Sequence, residues 1–375
     1  MLCRNGTAWI TVCLAILPGS RGAIAQHTYE SKNETGAVDS LTYVGGPEWL
    51  VAQKDPKSHW HLLPELTDVT LHNFPVSREA LAYVLSLETL KGLVLGGDLE
   101  GIEIETKDLE LLAKADHLEH LGLCFADMAD DHLRFLPEMD KLASLEIGSF
   151  WDSGHQARFT DELAHLIVAA PKLRWIRIQS DAFTDEFVRI LSAKRDLETL
   201  EIDSPNLTDA SLALIGKWPA LRGLSVQSPR ITDEGVSHLR DLTSLESLEI
   251  ESPRLGSGAL SLVSGLTRLT YLELSIGSVR SADLATVRNL EALRILALRK
   301  PPIGDEEFAV LRDHPSIETL FFERAQPTVK SLPVIESLKK LDYVHFSTKT
   351  EATRLLLDRI SKRGIQDGSF YPKQE

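Results

Sequence analysis

The chain of 375 residues is short of cysteine, of aromatic side chains and of positive charge. Its three cysteines are Cys3, Cys13 and Cys124. Two of them fall in an N-terminal stretch expected to be removed, so one thiol remains and no internal disulfide can form. Stability must then come from packing. Aromatic residues make up 6% of the chain and hydrophobic residues 43%, so a core of Leu, Ile and Val is implied. Lys and Arg number 40 against 55 Asp and Glu, a formal charge of −15. That balance is unsuited to nucleic acid, which selects a basic face, and to adsorption on an anionic membrane. It suits a protein partner with a cationic surface. No apolar run beyond the N-terminus reaches the ~18 residues of a membrane helix. Phosphate-cradling glycine loops, nucleophile elbows and metalloprotease helices are missing as well. These absences point to a non-enzymatic protein with no cofactor and no metal.

The first 25 residues read as a signal peptide. Arg4 supplies the positive end, Ala8 to Leu17 ("AWITVCLAIL") the apolar stretch, and Pro18 and Gly19 break it. The small residues of "AIA", Ala23 to Ala25, place cleavage before Gln26. Retention as an N-terminal anchor is the alternative. The segment contains Arg4 and Arg21 and no acid, so the remainder is more acidic still. A secreted or periplasmic protein is expected.

What the chain has in abundance is its own echo. "QSPRITDEGVSHLRDLTSLESLEIESP", residues 227 to 253, ends nearly on the phrase it begins with. The frame L-x-x-L-x-L, with Ile, Val or Phe allowed, starts at 66, 90, 118, 142, 173, 197, 221, 245, 269, 293, 317 and 341. Most steps are 24 residues; those to 118 and to 173 are 28 and 31, one unit plus an insertion. The second half of each frame alternates apolar and variable residues, as a strand does. An apolar residue follows (Leu207, Ile231, Leu255), and then a capped segment of helical period. In "TDEGVSHLRDL" Thr232 is the N-cap, Asp233 and Glu234 fill the first turn, and Val236, Leu239 and Leu242 share a face. Each unit is strand, turn, short helix, turn. No such unit can bury its faces alone, so each must be shaped to fit the one before it.

These units resemble leucine-rich repeats over about 66–347, and within that family the 24-residue GALA-type and cysteine-containing bacterial forms. The resemblance implies a right-handed α/β solenoid, or horseshoe, with a parallel concave sheet of about twelve strands and short convex helices. It also implies protein binding, or a substrate-recognition adaptor or effector of a larger enzyme complex. One feature departs from the family. Its ninth position usually carries Asn or Cys, which bonds the next coil's backbone. Here that position holds Pro205, Pro229, Pro253, Gly277, Pro301 or Ala325. Proline has no N–H to satisfy, and Ser204, Ser228 and Ser252 are expected to supply the missing bonds.

Residues 26–65 are expected to form a flexible start and an N-terminal cap, the solenoid to run over 66–347, and 348–375 to close it with a helix and tail. In the closing helix "TEATRLLLDRISKRG", Gly364 is the stop. Within the solenoid, alternation places frame positions three, five and seven on the concave face. Position five reads Glu146, Arg177, Glu201, Ser225, Glu249, Glu273. Position seven adds Asp203, Gln227 and Glu251, and position three Trp175, Tyr271 and Tyr343. The residues singled out for partner binding are Trp175, Arg177, Glu201, Asp203, Glu249, Glu251, Tyr271 and Glu273. The same stripe can also be read as a solvated face partly paired with itself. Position two alternates Arg174, Glu198, Arg222, Glu246, a structural charge ladder. Asp161, Asp185, Asp209, Asp233 and Asp305 stand in first helical turns and are read as complementing the helix dipole.

The insertion "GSFWDSGHQARFT", residues 148–160, brings Trp151, Asp152 and His155 together and is the loop candidate. His59 and His61 are two ligands and make no metal site. Cys124 shares a concave strand with His120, four residues away and too far for a thiolate pair. Asn33 and Asn206 stand in glycosylation sequons, which matter only in a eukaryotic secretory route.

Overall fold

A computed structural model describes residues 27–32, 38–44, 67–72, 78–97, 106–125, 128–148, 157–347 and 350–367. They form one open sheet of fifteen strands whose order in space follows the order in the chain. The twelve frames become twelve consecutive parallel strands: β3 (Asp68–His72), β4 (Gly92–Gly97), β5 (His120–Phe125), β6 (Ser144–Ile147), β7 (Trp175–Gln179), β8 (Thr199–Asp203), β9 (Gly223–Gln227), β10 (Ser247–Glu251), β11 (Tyr271–Ser275), β12 (Ile295–Arg299), β13 (Thr319–Phe322) and β14 (Tyr343–Phe346). Register follows the repeat: Leu224, Leu248, Leu272 and Leu296 pair in line, as do Ser225, Glu249, Glu273 and Ala297.

Three further strands lie outside the frames. β1 (His27–Lys32) pairs antiparallel with β2 (Val38–Val44), and β2 pairs parallel with β3. Residues 26–45 were expected as a flexible start, because they are polar and carry no repeat. The segments "HTYESK" and "VDSLTYV" nonetheless pair, since the first coil would otherwise leave a row of unsatisfied backbone groups. At the other end β15 (Gln366–Asp367) adds to β14 after the helix Glu351–Ser361, and Gly364 turns the chain at φ 84°.

Frame positions one, four and six point into a continuous aliphatic core between sheet and helices. Leu200, Leu224, Leu248, Leu272 and Leu296 are all buried there, with the helix residues Val188, Leu212, Val236 and Leu260. The core also takes in aromatic rings, among them Phe159, Phe183, Phe187 and Trp218.

Two polar ladders stitch coil to coil. In the first, a serine at frame position eight is buried and its hydroxyl donates to the carbonyl of the preceding coil. Ser180 reaches Phe159 O (2.7 Å), Ser204 reaches Phe183 O (2.8 Å), Ser228 reaches Leu207 O (2.7 Å) and Ser252 reaches Ile231 O (2.7 Å). Each hydroxyl also accepts a backbone N–H two residues on, as from Arg230 to Ser228 at 3.3 Å. The serines therefore do what the prolines at position nine cannot.

The second ladder runs along the helix N-termini. Thr184, Thr208, Thr232 and Thr328 cap their helices by accepting from the second N–H of the turn. The Asp that opens most of these turns does more than face the dipole. Asp185 accepts from the next coil's Thr208, at the backbone N–H (2.9 Å) and the hydroxyl (2.6 Å). Asp161 binds Thr184 in the same way, Asp209 binds Thr232, and Asp305 binds Thr328. A charge at a helix start and a clamp between coils are thus one residue. The row thins where Gly256 offers Asp233 only a backbone N–H (2.8 Å). The helix Ser281–Leu284 departs from this cap design and starts from Arg280 without a side-chain cap.

Candidate functional site

The sheet face opposite the helices is paved by frame positions three, five and seven, and β6 to β14 carry its chemistry. On β7 the Arg177 guanidinium lies between two acids, 3.1 Å from Glu146 and 3.5 Å from Glu201. Burial pushes the carboxyls of Glu146 and Glu201 above their ordinary range, and Arg177 works against that shift. These three residues form a self-paired patch, with Trp175 half-buried beside them.

Further along, Glu249 on β10 and Glu273 on β11 face each other in register. At that spacing two bare carboxylates would repel by on the order of 1 kcal/mol in water. The conflict is resolved by a residue that the sequence reading passed over. Arg299 on β12 forms an ion pair with Glu273, and the Tyr271 hydroxyl donates to the same carboxylate. Glu273 is only 7% exposed, so its charge is neutralised within the fold. The Tyr271 hydroxyl is pushed up by burial, then by its bond to Glu273. Arg299 occupies position seven of its frame, and reading that row two strands further would have found it.

Glu249 is left with a weaker settlement. Burial raises its carboxyl, the neighbouring Glu273 raises it further, and Arg299 and a hydrogen bond from Ser225 pull back. Glu251 has only distant cations, Arg299 at 3.8 Å and Lys300 at 3.9 Å. Asp203 on β8 has no hydrogen-bonded or ionic partner among the described residues. Its carboxyl is pushed up to about 6 by burial, then by Asp181 and Glu251. Between Glu251 and Arg299 lies Ser275, 1% exposed, whose hydroxyl has no hydrogen-bond partner among the described residues.

Beyond β11 the face changes character. Positions three and five on β12 to β14 are Ile295 and Ala297, Thr319 and Phe321, Tyr343 and His345. Phe321 and His345 stack, with ring centroids 4.3 Å apart and planes 9° from parallel. Phe321, Tyr343 and His345 are half-buried, so part of each ring lines the face.

The fold is a leucine-rich repeat solenoid. Among solved structures the chain is similar to the crystal structure of an internalin (inlF) from Listeria monocytogenes str. 4b F2365. The likeness covers 88% of this chain and 87% of that one, at 18% identity and a TM-score of 0.50. At that identity it speaks to the fold alone. No protein-family model matches the sequence, and no curated protein matches it.

The structure gathers Glu249, Glu251, Tyr271 and Glu273 on the adjacent strands β10 and β11 of the solenoid's concave face, with Asp203 and Glu201 together on β8, two strands from β10, and Trp175 and Arg177 on β7 beside them. The loop candidates Trp151, Asp152 and His155 lie outside the described residues. Gly148, at φ 139°, turns the chain out of β6 toward that insertion. A side chain there would also press on Gln179, 3.0 Å from the position a Cβ would take. Cys124 is buried, and desolvation pushes its thiol well up, so it is an inert packing residue. The position-two charge ladder is present: Arg174 to Glu198 at 3.2 Å, Arg222 to Glu246 at 2.6 Å. Among the described residues, no three His, Cys, Asp or Glu side chains are grouped to hold a metal ion, and no helix is long and apolar enough to cross a membrane.

Proposed function

We propose that this chain is an exported, non-enzymatic scaffold that captures a protein partner on its concave sheet. The observation that carries the reading is the uneven settlement of charge on that face. Glu146, Glu201 and Glu273 are held closely by Arg177 and Arg299, whereas Asp203 has no ionic partner among the described residues, Glu249 has a hydrogen bond from Ser225, and Glu251 has only the long contacts to Arg299 and Lys300. Partly desolvated carboxylates without full partners gain from a cation brought in from outside. A partner with a cationic surface follows. The adaptor reading that accompanies GALA-type repeats would use the same face.

The test is capture from native extracts on immobilised protein lacking residues 1–25, beside the double reversal Glu249→Lys, Glu251→Lys. Glu273 is left alone, because its reversal would bury a lysine against Arg299. A partner retained by the parent and lost by the reversal is expected. Equal retention by both, at equal thermal stability, would end the assignment.

A further inference from the structure

This inference rests on the docking reading above and asks what the concave face selects. The face has two halves of unlike chemistry, fixed at a known separation by a rigid sheet. One half is the group Asp203, Glu249 and Glu251, with the buried, unpartnered hydroxyl of Ser275 in the same row. The other is the aromatic shelf of Phe321, Tyr343 and His345, with Ile295 at its near edge. Between them the Arg299–Glu273–Tyr271 cluster is locked by its own bonds. Rows three and five on β12 to β14 contain no acid, and row seven there contributes one, Glu323.

We propose that the face reads an extended polypeptide segment in two parts: basic side chains over Asp203, Glu249 and Glu251, and an aromatic or large aliphatic side chain against the Phe321–His345 shelf. The separation follows from the sheet. Neighbouring strands lie ~4.8 Å apart, so the three steps from β10 to β13 span roughly 14 Å and the five from β8 roughly 24 Å. An extended chain advances about 3.3 Å per residue, so the two determinants sit roughly four to seven residues apart. Charge complementarity selects the basic end. The apolar end is selected because half-buried rings gain from losing their remaining water. The locked cluster in the middle offers nothing to either and sets the spacing.

Synthetic fluorescein-labelled peptides test this by anisotropy on protein lacking residues 1–25. One series carries Lys-Arg and Phe joined directly or through five or ten Gly/Ser residues. Controls replace Phe by Ala, or Lys-Arg by Gly-Ser. The five-residue spacer is expected to bind at least tenfold more tightly than the directly joined peptide and than either control. Salt should weaken the contribution of Lys-Arg and leave that of Phe. Phe321→Ala should erase the preference for Phe over Ala, and Asp203→Asn with Glu251→Gln should erase the preference for Lys-Arg. The peptide-side comparisons need no protein variant, so a variant that fails to fold does not rescue the idea. Equal binding with and without Phe would overturn the two-part reading while leaving an acidic docking face intact. So would indifference to spacer length, or no binding by any peptide; the docking reading itself stands or falls on the capture experiment.

Discussion

Replacing Asp185 by Glu separates two explanations of why aspartate recurs at the helix starts. If it is there for the helix dipole, glutamate in the first turn serves as well, and the change should be worth a few tenths of a kcal/mol at most. If it is a clamp between coils, the extra methylene carries both oxygens one bond length too far. Asp185 accepts from Thr208 twice and from the Ser211 hydroxyl. Burial opposes its ionisation, but those bonds outweigh the opposition and hold its carboxyl below the ordinary range. Hydrogen bonds to a charged group are worth ~1.5–3 kcal/mol each, and three that share one carboxylate add less than their sum. A loss of about 2–4 kcal/mol is therefore expected for Asp185→Ala, and of at least about 1.5 for Asp185→Glu. Thr208 keeps its own cap in both variants, since it accepts from Ala210 N independently of Asp185. The assay is urea denaturation followed by far-UV circular dichroism, with the slope checked for constancy before midpoints are compared. The folded carboxyl titrates below its unfolded counterpart, so its contribution is complete above the unfolded range and fades as pH falls through the folded one. The penalty of Asp185→Ala should thus shrink in acid. A Glu variant as stable as the parent at pH 7 would refute the clamp and restore the dipole account.

Three further outcomes follow from the concave face. Arg299→Ala leaves Glu273 buried with only Tyr271, and should cost about 3–5 kcal/mol. Arg177→Ala exposes two half-buried acids to water and should cost about 1 kcal/mol; equal urea midpoints for the two would sink the distinction. Asp203, raised to about 6, should show a carboxyl titration midpoint near that value by ¹³C NMR. Its folded state holds the proton more tightly, so this group favours folding as pH falls below about 6 and opposes it above. Capture of a cationic partner should weaken over the same window, and a midpoint below 4.5 would remove the basis for both. Finally, a double-mutant cycle on Arg222 and Glu246, which are 45% and 35% exposed, should give a coupling under about 1 kcal/mol despite the short contact.

The repeat made the solenoid legible: twelve frames in the sequence are the twelve strands from β3 to β14. Alternation within each frame also assigned the core and the concave rows, because a strand in a two-layer solenoid has one buried face. The inter-coil serines were readable because a proline at position nine poses a hydrogen-bonding question and a serine beside it is the nearest answer. The clamp role of Asp185 and its equivalents was not, although Thr-Asp returns every 24 residues through this region. A carboxylate at a helix start has a sufficient local reason to be there, and the local reason hid the partner one coil away. β1 and β2 escaped for the opposite cause. They carry no repeat, and their pairing is dictated by the sheet edge they cover.

On the concave face, legibility ran by row and failed by charge. Each residue was placed on the correct strand and side, but which acids are neutralised depends on cations several strands off, such as Arg299 against Glu251 two strands away. That division has a physical logic. The positions that repeat, Leu in the core and Ser, Thr and Asp in the ladders, are those whose partner recurs at a fixed place one coil over. Changing any of them damages a junction between coils. The odd positions of the strands have no such partner built into the repeat, so they can differ from coil to coil at little cost to the stack. A periodic scaffold therefore concentrates its individuality on one surface. Here that individuality consists of three incompletely settled carboxylates, a locked divider and an aromatic shelf. On the docking reading, a partner that recognises this protein rather than another solenoid of its kind would do so through such odd positions of the strands, since the repeated positions are the ones that any similar coil would share.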